Sequence, residues 1–145
     1  MGALANERSG ISESTGMERA LDDLKELARN STKNGRPALD DPSVRREIGR
    51  YESMISAMRL NGLRNLTQQL QGNPPSTETS VNKLLRGQLE IPMADFAMSL
   101  LGTEAQETGR WQMSSLTFHG VVIGGGSPNI QRNIIAERIL GLPKD

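Results

Sequence analysis

Apolar positions recur along this chain at the spacing of helices. Between Leu4 and Asn30, Met17, Leu21, Leu24 and Leu27 or Ala28 fall three and four residues apart, while Glu18, Asp22, Asp23, Lys25, Glu26 and Arg29 occupy the other faces. That pattern predicts an amphipathic helix. The segment STKNGRP closes it, with Gly35 and Pro37 as stop signals. Asp41-Pro42 then supplies an N-cap and a proline at the first helical position. The stripe that follows is the most regular in the chain: Val44, Ile48, Tyr51, Ile55, Met58, Gly62 and Leu66, spaced 4, 3, 4, 3, 4 and 4. In this heptad-like seam Gly62 would let a neighbouring backbone come close.

QGNPPS, Gln71 to Ser76, is the clearest break. A third helix is predicted from about Thr77 to Leu101, carrying Val81, Leu84, Leu85, Phe96, Leu100 and Leu101, with a kink at Pro92 where the ring removes a ladder bond. Gly102 to Gly109 reads as a polar loop, and a shorter helix as Arg110 to His119. After the turn Gly124-Gly125-Gly126, Ser127-Pro128 opens a last helix as N-cap and first position. Ile130, Ile134, Ile135, Ile139 and Leu140 form its apolar side, and Gly141 and Pro143 end it. Val121 to Ile123 is the one strand-like stretch. The order predicts an all-α protein, an up-and-down four-helix bundle with additional short C-terminal helices.

Composition narrows the chemistry. At 145 residues the chain is one domain, short for a complete cofactor enzyme. Aromatics are 3%, so the core must be aliphatic, which favours helices over a sheet. With 17 basic and 17 acidic residues the net charge is zero, which argues against nucleic acid as a partner. The absence of cysteine excludes disulfide and thiolate chemistry. No apolar run is long enough to span a membrane, and MGALANERSG lacks the form of a leader, so a cytoplasmic location is expected. The single histidine, His119, has no acidic residue three or four positions before it, so no metal site is expected. No Gly-x-Ser-x-Gly elbow is present, and GGGSP matches neither a dinucleotide fingerprint nor a P-loop. Its glycines let backbone approach something closely, or simply make a flexible turn.

The closing stretch IGGGSPNIQRNIIAERILGLPKD, Ile123 to Asp145, resembles the end of the acyl-CoA dehydrogenase family. Ile130-Gln131-Arg132, Ala136-Glu137-Arg138 and Leu140-Gly141-Leu142-Pro143 follow the family's order without gaps, and LANERS, Leu4 to Ser9, looks like the start of the first helix of its C-terminal domain. The resemblance covers residues 1 to 145 as that helical domain, strongly at the end and loosely in the middle. It implies α,β-dehydrogenation of an acyl-CoA thioester, a carboxylate taking the α-proton while hydride passes to FAD. In many members the base is a Glu in the last turn; the matching position here is Gly125, which carries no acid. A second group places the base on the first helix of the domain, and the match there is Glu7, followed by Arg8 as its substrate-side neighbour. Read without the resemblance, Glu7 is equally a solvated acid near a helix start.

Cofactor contacts carry over unevenly. Arg29 matches an arginine that reaches a neighbouring subunit's flavin, and Thr32 stands where an aromatic is usual. SLLGTEA, within Met98 to Ala105, keeps Gly102 of a Gln-x-x-Gly-Gly-x-Gly segment and loses the rest. Gly125, Gly126, Ser127 and Asn129 match the turn beside the flavin, Ser127 keeping a hydroxyl. The resemblance implies FAD in the full-length protein but not retained by this fragment, acyl-CoA as substrate, and a homo- or hetero-oligomer. The N-terminal helical and middle β-domains of the family are unmatched, so the isolated chain is expected to be inactive and to self-associate through exposed apolar surface. The alternative is a non-catalytic helical oligomerisation subunit of the same fold.

Overall fold

The computed structural model describes residues 10–73 and 79–144, and four long helices dominate it. Helix α1, Gly10–Asn30, buries Met17, Ala20, Leu21, Leu24 and Ala28. Its expected start at Leu4 lies outside the described residues. The segment after it does more than stop a helix. Strands β1, Thr32–Lys33, and β2, Arg36–Pro37, pair antiparallel with Thr32 opposite Pro37 and Lys33 opposite Arg36. Asn34 and Gly35 join them at φ 54° and 73°, both positive, as a two-residue hairpin of this twist requires. A single 3₁₀ turn, Ala38–Asp40, follows and buries Ala38.

Helix α2, Pro42–Leu70, begins as predicted: an Asp41 side-chain oxygen accepts from the Ser43 amide at 2.7 Å. The Lys33 ammonium, 2.8 Å from that carboxyl, and Ser43 hold Asp41 well below the usual carboxylate range. The buried seam runs Val44, Ile48, Tyr51, Ile55, Met58, Gly62 and then Asn65, not Leu66. Helix geometry continues the alternation of four and three to its last step, whereas hydropathy alone had moved that step to the nearest leucine. Leu66 is left exposed and Asn65 is buried.

Helix α3, Thr79–Leu101, packs against α1, α2 and α4, Arg110–Ile123. Pro92 sits inside α3 without ending it, and its carbonyl accepts the Tyr51 hydroxyl of α2 at 3.0 Å. Burial raises the Tyr51 phenol. Near the other end, Asn82 donates to the Met58 carbonyl at 3.1 Å and accepts from Asn61 at 2.9 Å, so α2 and α3 are tied at two levels.

The loop expected after α3 is largely a 3₁₀ turn, Gly102–Gln106. The strand-like Val121 to Ile123 is the last turn of α4, because a β-branched run with no facing strand still satisfies its backbone best by extending the helix it follows. Trp111 buries its ring in the core, and Arg110 pairs with Asp23 of α1, so α4 is anchored to the bundle at its start. Helix α5, Pro128–Ile134, lies on α3 and passes into a π-type turn, Ile135–Ile139. The domain is therefore all-α, four long helices and a short C-terminal extension. Among the described residues no helix is long and apolar enough to cross a membrane, and no group of three acidic or histidine side chains could hold a metal ion.

Candidate functional site

Two features gather the residues singled out in the sequence, one at each end of α3. The first is a polar cleft of about 310 Å³ between the end of α1 with β1 and the end of α3 with its 3₁₀ turn, lined by Asn30, Thr32, Ser99, Gly102, Thr103 and Glu104 among others. Local hydrogen bonding builds its first wall: the Ser31 hydroxyl donates to the Leu27 carbonyl at 2.8 Å, closing α1 and turning the chain into the hairpin that carries Thr32. The second wall turns at Gly102, whose φ of +59° reverses the chain after α3. Arg29 lies one residue before the cleft and is exposed. Its guanidinium is 3.0 Å from the Glu26 carboxylate, which Asn30 also grips at 3.0 Å. Those two donors, Asn30 first, lower the Glu26 carboxyl. The pair is a surface contact, so Arg29 can exchange Glu26 for another anion.

The second feature is the turn Gly124–Ser127 between α4 and α5. Lys83 of α3 donates to the Val121 carbonyl at 3.2 Å, capping the end of α4, and Gly87 leaves room for Val122, 3.5 Å from where its Cβ would stand. Gly125 and Gly126 have φ of +69° and +106°, a region open to glycine. Gln131 of α5 reaches back and donates to the Gly125 and Gly126 carbonyls at 3.2 and 3.4 Å. Ser127 stands at the predicted N-cap position, but its hydroxyl makes no capping bond. Asn129 accepts from Arg132 at 3.0 Å.

Thr32 and Gly102 are thus brought together, with Arg29 alongside, whereas Gly125, Gly126, Ser127 and Asn129 form a separate group. Lys83, beside the turn, and Leu101, beside the cleft, stand eighteen residue steps apart along α3, a span of about 27 Å at the helical rise. Glu7 and Arg8 lie outside the described residues. Periodicity did not single out Gln131 or Glu90, both polar and buried; Glu90 is committed to Arg86 at 2.7 Å. Their signal is a polar residue on an apolar helix face, which a sequence alone reads as solvated.

Chemically, the cleft offers hydroxyls and a permissive backbone to an extended polar ligand and is at the small end of ligand pockets. The turn offers backbone and the Ser127 hydroxyl, and no carboxylate, since Gly125 is bare. A model of the acyl-CoA dehydrogenase C-terminal domain matches residues 1–140. The acyl-CoA dehydrogenase IpdE1 of Mycobacterium tuberculosis is 35% identical over 132 residues, covering 88% of this chain and 32% of that protein, and IpdE1 of Mycolicibacterium smegmatis is 33% identical, covering 100% and 36%. The chain therefore spans about a third of the length of these relatives. Among solved structures, an FAD complex of PigA superposes with a TM-score of 0.75 at 26% identity, over 89% of this chain and 34% of that one. The ChsE4-ChsE5 complex from Mycobacterium tuberculosis shares the fold with a TM-score of 0.75 at 22% identity, over 91% and 37%.

Proposed function

Because the chain belongs to the acyl-CoA dehydrogenase family and corresponds to its C-terminal domain, we propose that it completes the FAD and acyl-CoA site of a flavin-dependent acyl-CoA dehydrogenase and contributes to its oligomer interface. The observation that carries this reading is the cleft, which joins Thr32 to Gly102 from distant parts of the sequence with Arg29 beside it. Its lining of hydroxyls, the Asn30 amide and backbone, with one carboxylate at Glu104, fits a hydroxylated polar chain such as that of FAD rather than a ring system, and Gly102 leaves the space a Cβ would occupy open. The chemistry that FAD would supply there, when bound, is acceptance of a hydride from the β-carbon of an acyl-CoA.

The chain's own residues then have distinct tasks. Arg29, released from Glu26, neutralises an anionic part of the cofactor, and Thr32 donates a hydroxyl hydrogen bond. Gly125 and Gly126 let the backbone lie close, with Ser127 and Asn129 supplying polar contacts. Glu7 takes the α-proton, with Arg8 on the substrate side. The separation of about 27 Å between cleft and turn suits an assembly in which one copy's cleft reaches a cofactor held mainly by its neighbour. The isolated chain, with the base but without the rest of the cofactor site, does not oxidise acyl-CoA.

The test is made in the flavoprotein assembled with this domain. Arg29→Ala should lower FAD retention at least about tenfold, the order expected for losing one charge-assisted contact, while Glu7→Gln keeps FAD but stops substrate bleaching of the flavin. Unchanged bleaching in Glu7→Gln rejects Glu7 as the base. If neither variant has an effect, the second reading stands, a non-catalytic helical subunit, which the bare Gly125 favours.

A further inference from the structure

We propose that Gln131 is a positioning residue: its buried carboxamide holds the glycine turn between α4 and α5 in one conformation and so fixes where Ser127 is presented. Backbone bonds close the turn at its two edges, Gly124 donating to the Gly120 carbonyl and Gln131 to the Ser127 carbonyl. Gly125 and Gly126 both sit at positive φ, where glycine is unrestricted, and have no side chains to pack. Gln131 adds a side-chain restraint at the centre of the turn. It is 1% exposed, and its Nε2 donates to the carbonyls of both glycines, 3.2 and 3.4 Å away. Two carbonyl acceptors accept only from a donor, which fixes the amide's orientation. The fit is close: a Cβ on Gly126 would stand 2.6 Å from that nitrogen.

The other half of the amide makes the role specific. Gln131 Oε1 is buried and has no hydrogen-bond partner among the described residues. Packing alone would not call for this, because methionine has the same length and leaves no orphaned acceptor. The carboxamide is useful here for its donor, and the donor is directed at the turn. On the opposite side Lys83 fixes the end of α4 through the Val121 carbonyl, so the turn is gripped from α3 and α5. The consequence for Ser127 rests on the reading of this turn as cofactor-facing.

Three forms of the 145-residue chain test it by amide hydrogen exchange and glycine carbonyl chemical shifts: unmodified, Gln131→Met and Gln131→Glu. Gln131→Met should lower the protection factors of the amides at Gly124 and at position 131, which donate to the Gly120 and Ser127 carbonyls on either side of the turn, about tenfold or more while those of the α1 and α2 core stay unchanged. In Gln131→Glu the protonated carboxyl can still donate to the two carbonyls, whereas its ionised form presents only acceptors to them, so the turn is held at acid pH and released as pH rises through that carboxyl's pKa; Lys83, whose ammonium donates to the Val121 carbonyl, is the charged group beside the turn. Methionine shifts and protection within twofold of the unmodified chain, or a pH-independent glutamate variant, overturn the positioning role. If the turn loosens in Gln131→Met but the assembled flavoprotein retains FAD unchanged, the cofactor-facing reading of the turn fails instead.

Discussion

Replacing Leu63 and Leu70 together by glutamate asks whether the exposed side of α2 is an assembly surface. Leu60, Leu63, Leu66 and Leu70 recur at helical spacing and are 60, 41, 40 and 79% exposed. At 3.6 residues per turn they share one side of the helix, about a quarter turn from the seam that ends at Asn65. Their combined exposure amounts to about two whole leucine side chains, whose burial is worth about 3–6 kcal/mol per copy. An isologous pair buries the face twice, so the gross gain is about 6–12 kcal/mol, against about 4–15 kcal/mol for association itself. The face is therefore near the threshold for pairing: the net gain is at most about 8 kcal/mol, so dissociation is no tighter than about micromolar when it acts alone. The double substitution removes about half of that apolar area and sets like charges opposite one another across the two-fold. Pairing should weaken at least about tenfold, equivalent to about 1.4 kcal/mol. Sedimentation velocity over a concentration series up to roughly 1 mM reads this directly, with circular dichroism unchanged because all four positions are exposed. Leu116→Glu, on α4 and 75% exposed, is the control for a general effect of charge. A chain that stays monomeric throughout the series, or a double variant that sediments like the unmodified chain, refutes the assignment of this face.

Two further outcomes follow from buried or capped polar groups. Among the described residues neither amide atom of Asn65 has a hydrogen-bond partner, although the residue is buried; Asn65→Leu, with the same branching, should raise stability by about 1–3 kcal/mol by removing that penalty, and an unchanged or lowered midpoint in chemical denaturation followed by Trp111 fluorescence counts against it. Asp41 has a lowered pKa in the fold, so its contribution is present above the unfolded value of about 3.9 and is lost as pH falls below it. Asp41→Asn keeps a capping oxygen but not the charge paired with Lys33, so the unmodified chain should lose more stability than the variant between about pH 5 and pH 2. Equal slopes of melting temperature against pH would show that the ion pair with Lys33 is not the source.

The residues most legible in the sequence are those whose role is local. Asp41 and Pro42 announced the start of α2, and the spacing from Val44 to Gly62 gave its buried seam, because capping and helical periodicity depend only on neighbours a few residues away. The Asn34-Gly35 hairpin was read only as the stop of a helix, because its strands are two residues each, too short to show alternation. The acyl-CoA dehydrogenase resemblance, carried by Ile130-Gln131-Arg132 and the residues after it, named the family that the comparison then established. It also pointed to Arg29, Thr32 and the glycine turn, though as unrelated positions.

By itself, then, the sequence determined the helices, the N-cap of α2, the aliphatic core and the family. Tertiary structure decided which polar residues leave water and which distant residues meet. Whether Asn65 or Leu66 faces inward depends on how α2 is set against α3, and no hydropathy pattern contains that rotation. Thr32 meets Gly102 because α1 and α3 end at the same side of the bundle, while the glycine turn lies beside the opposite half of α3. Gln131 reads as a solvated amide in the chain and becomes a clamp only when α5 folds back over the turn five and six residues before it, since a buried hydrogen bond from side chain to backbone forms only once packing has excluded the water that would otherwise make it.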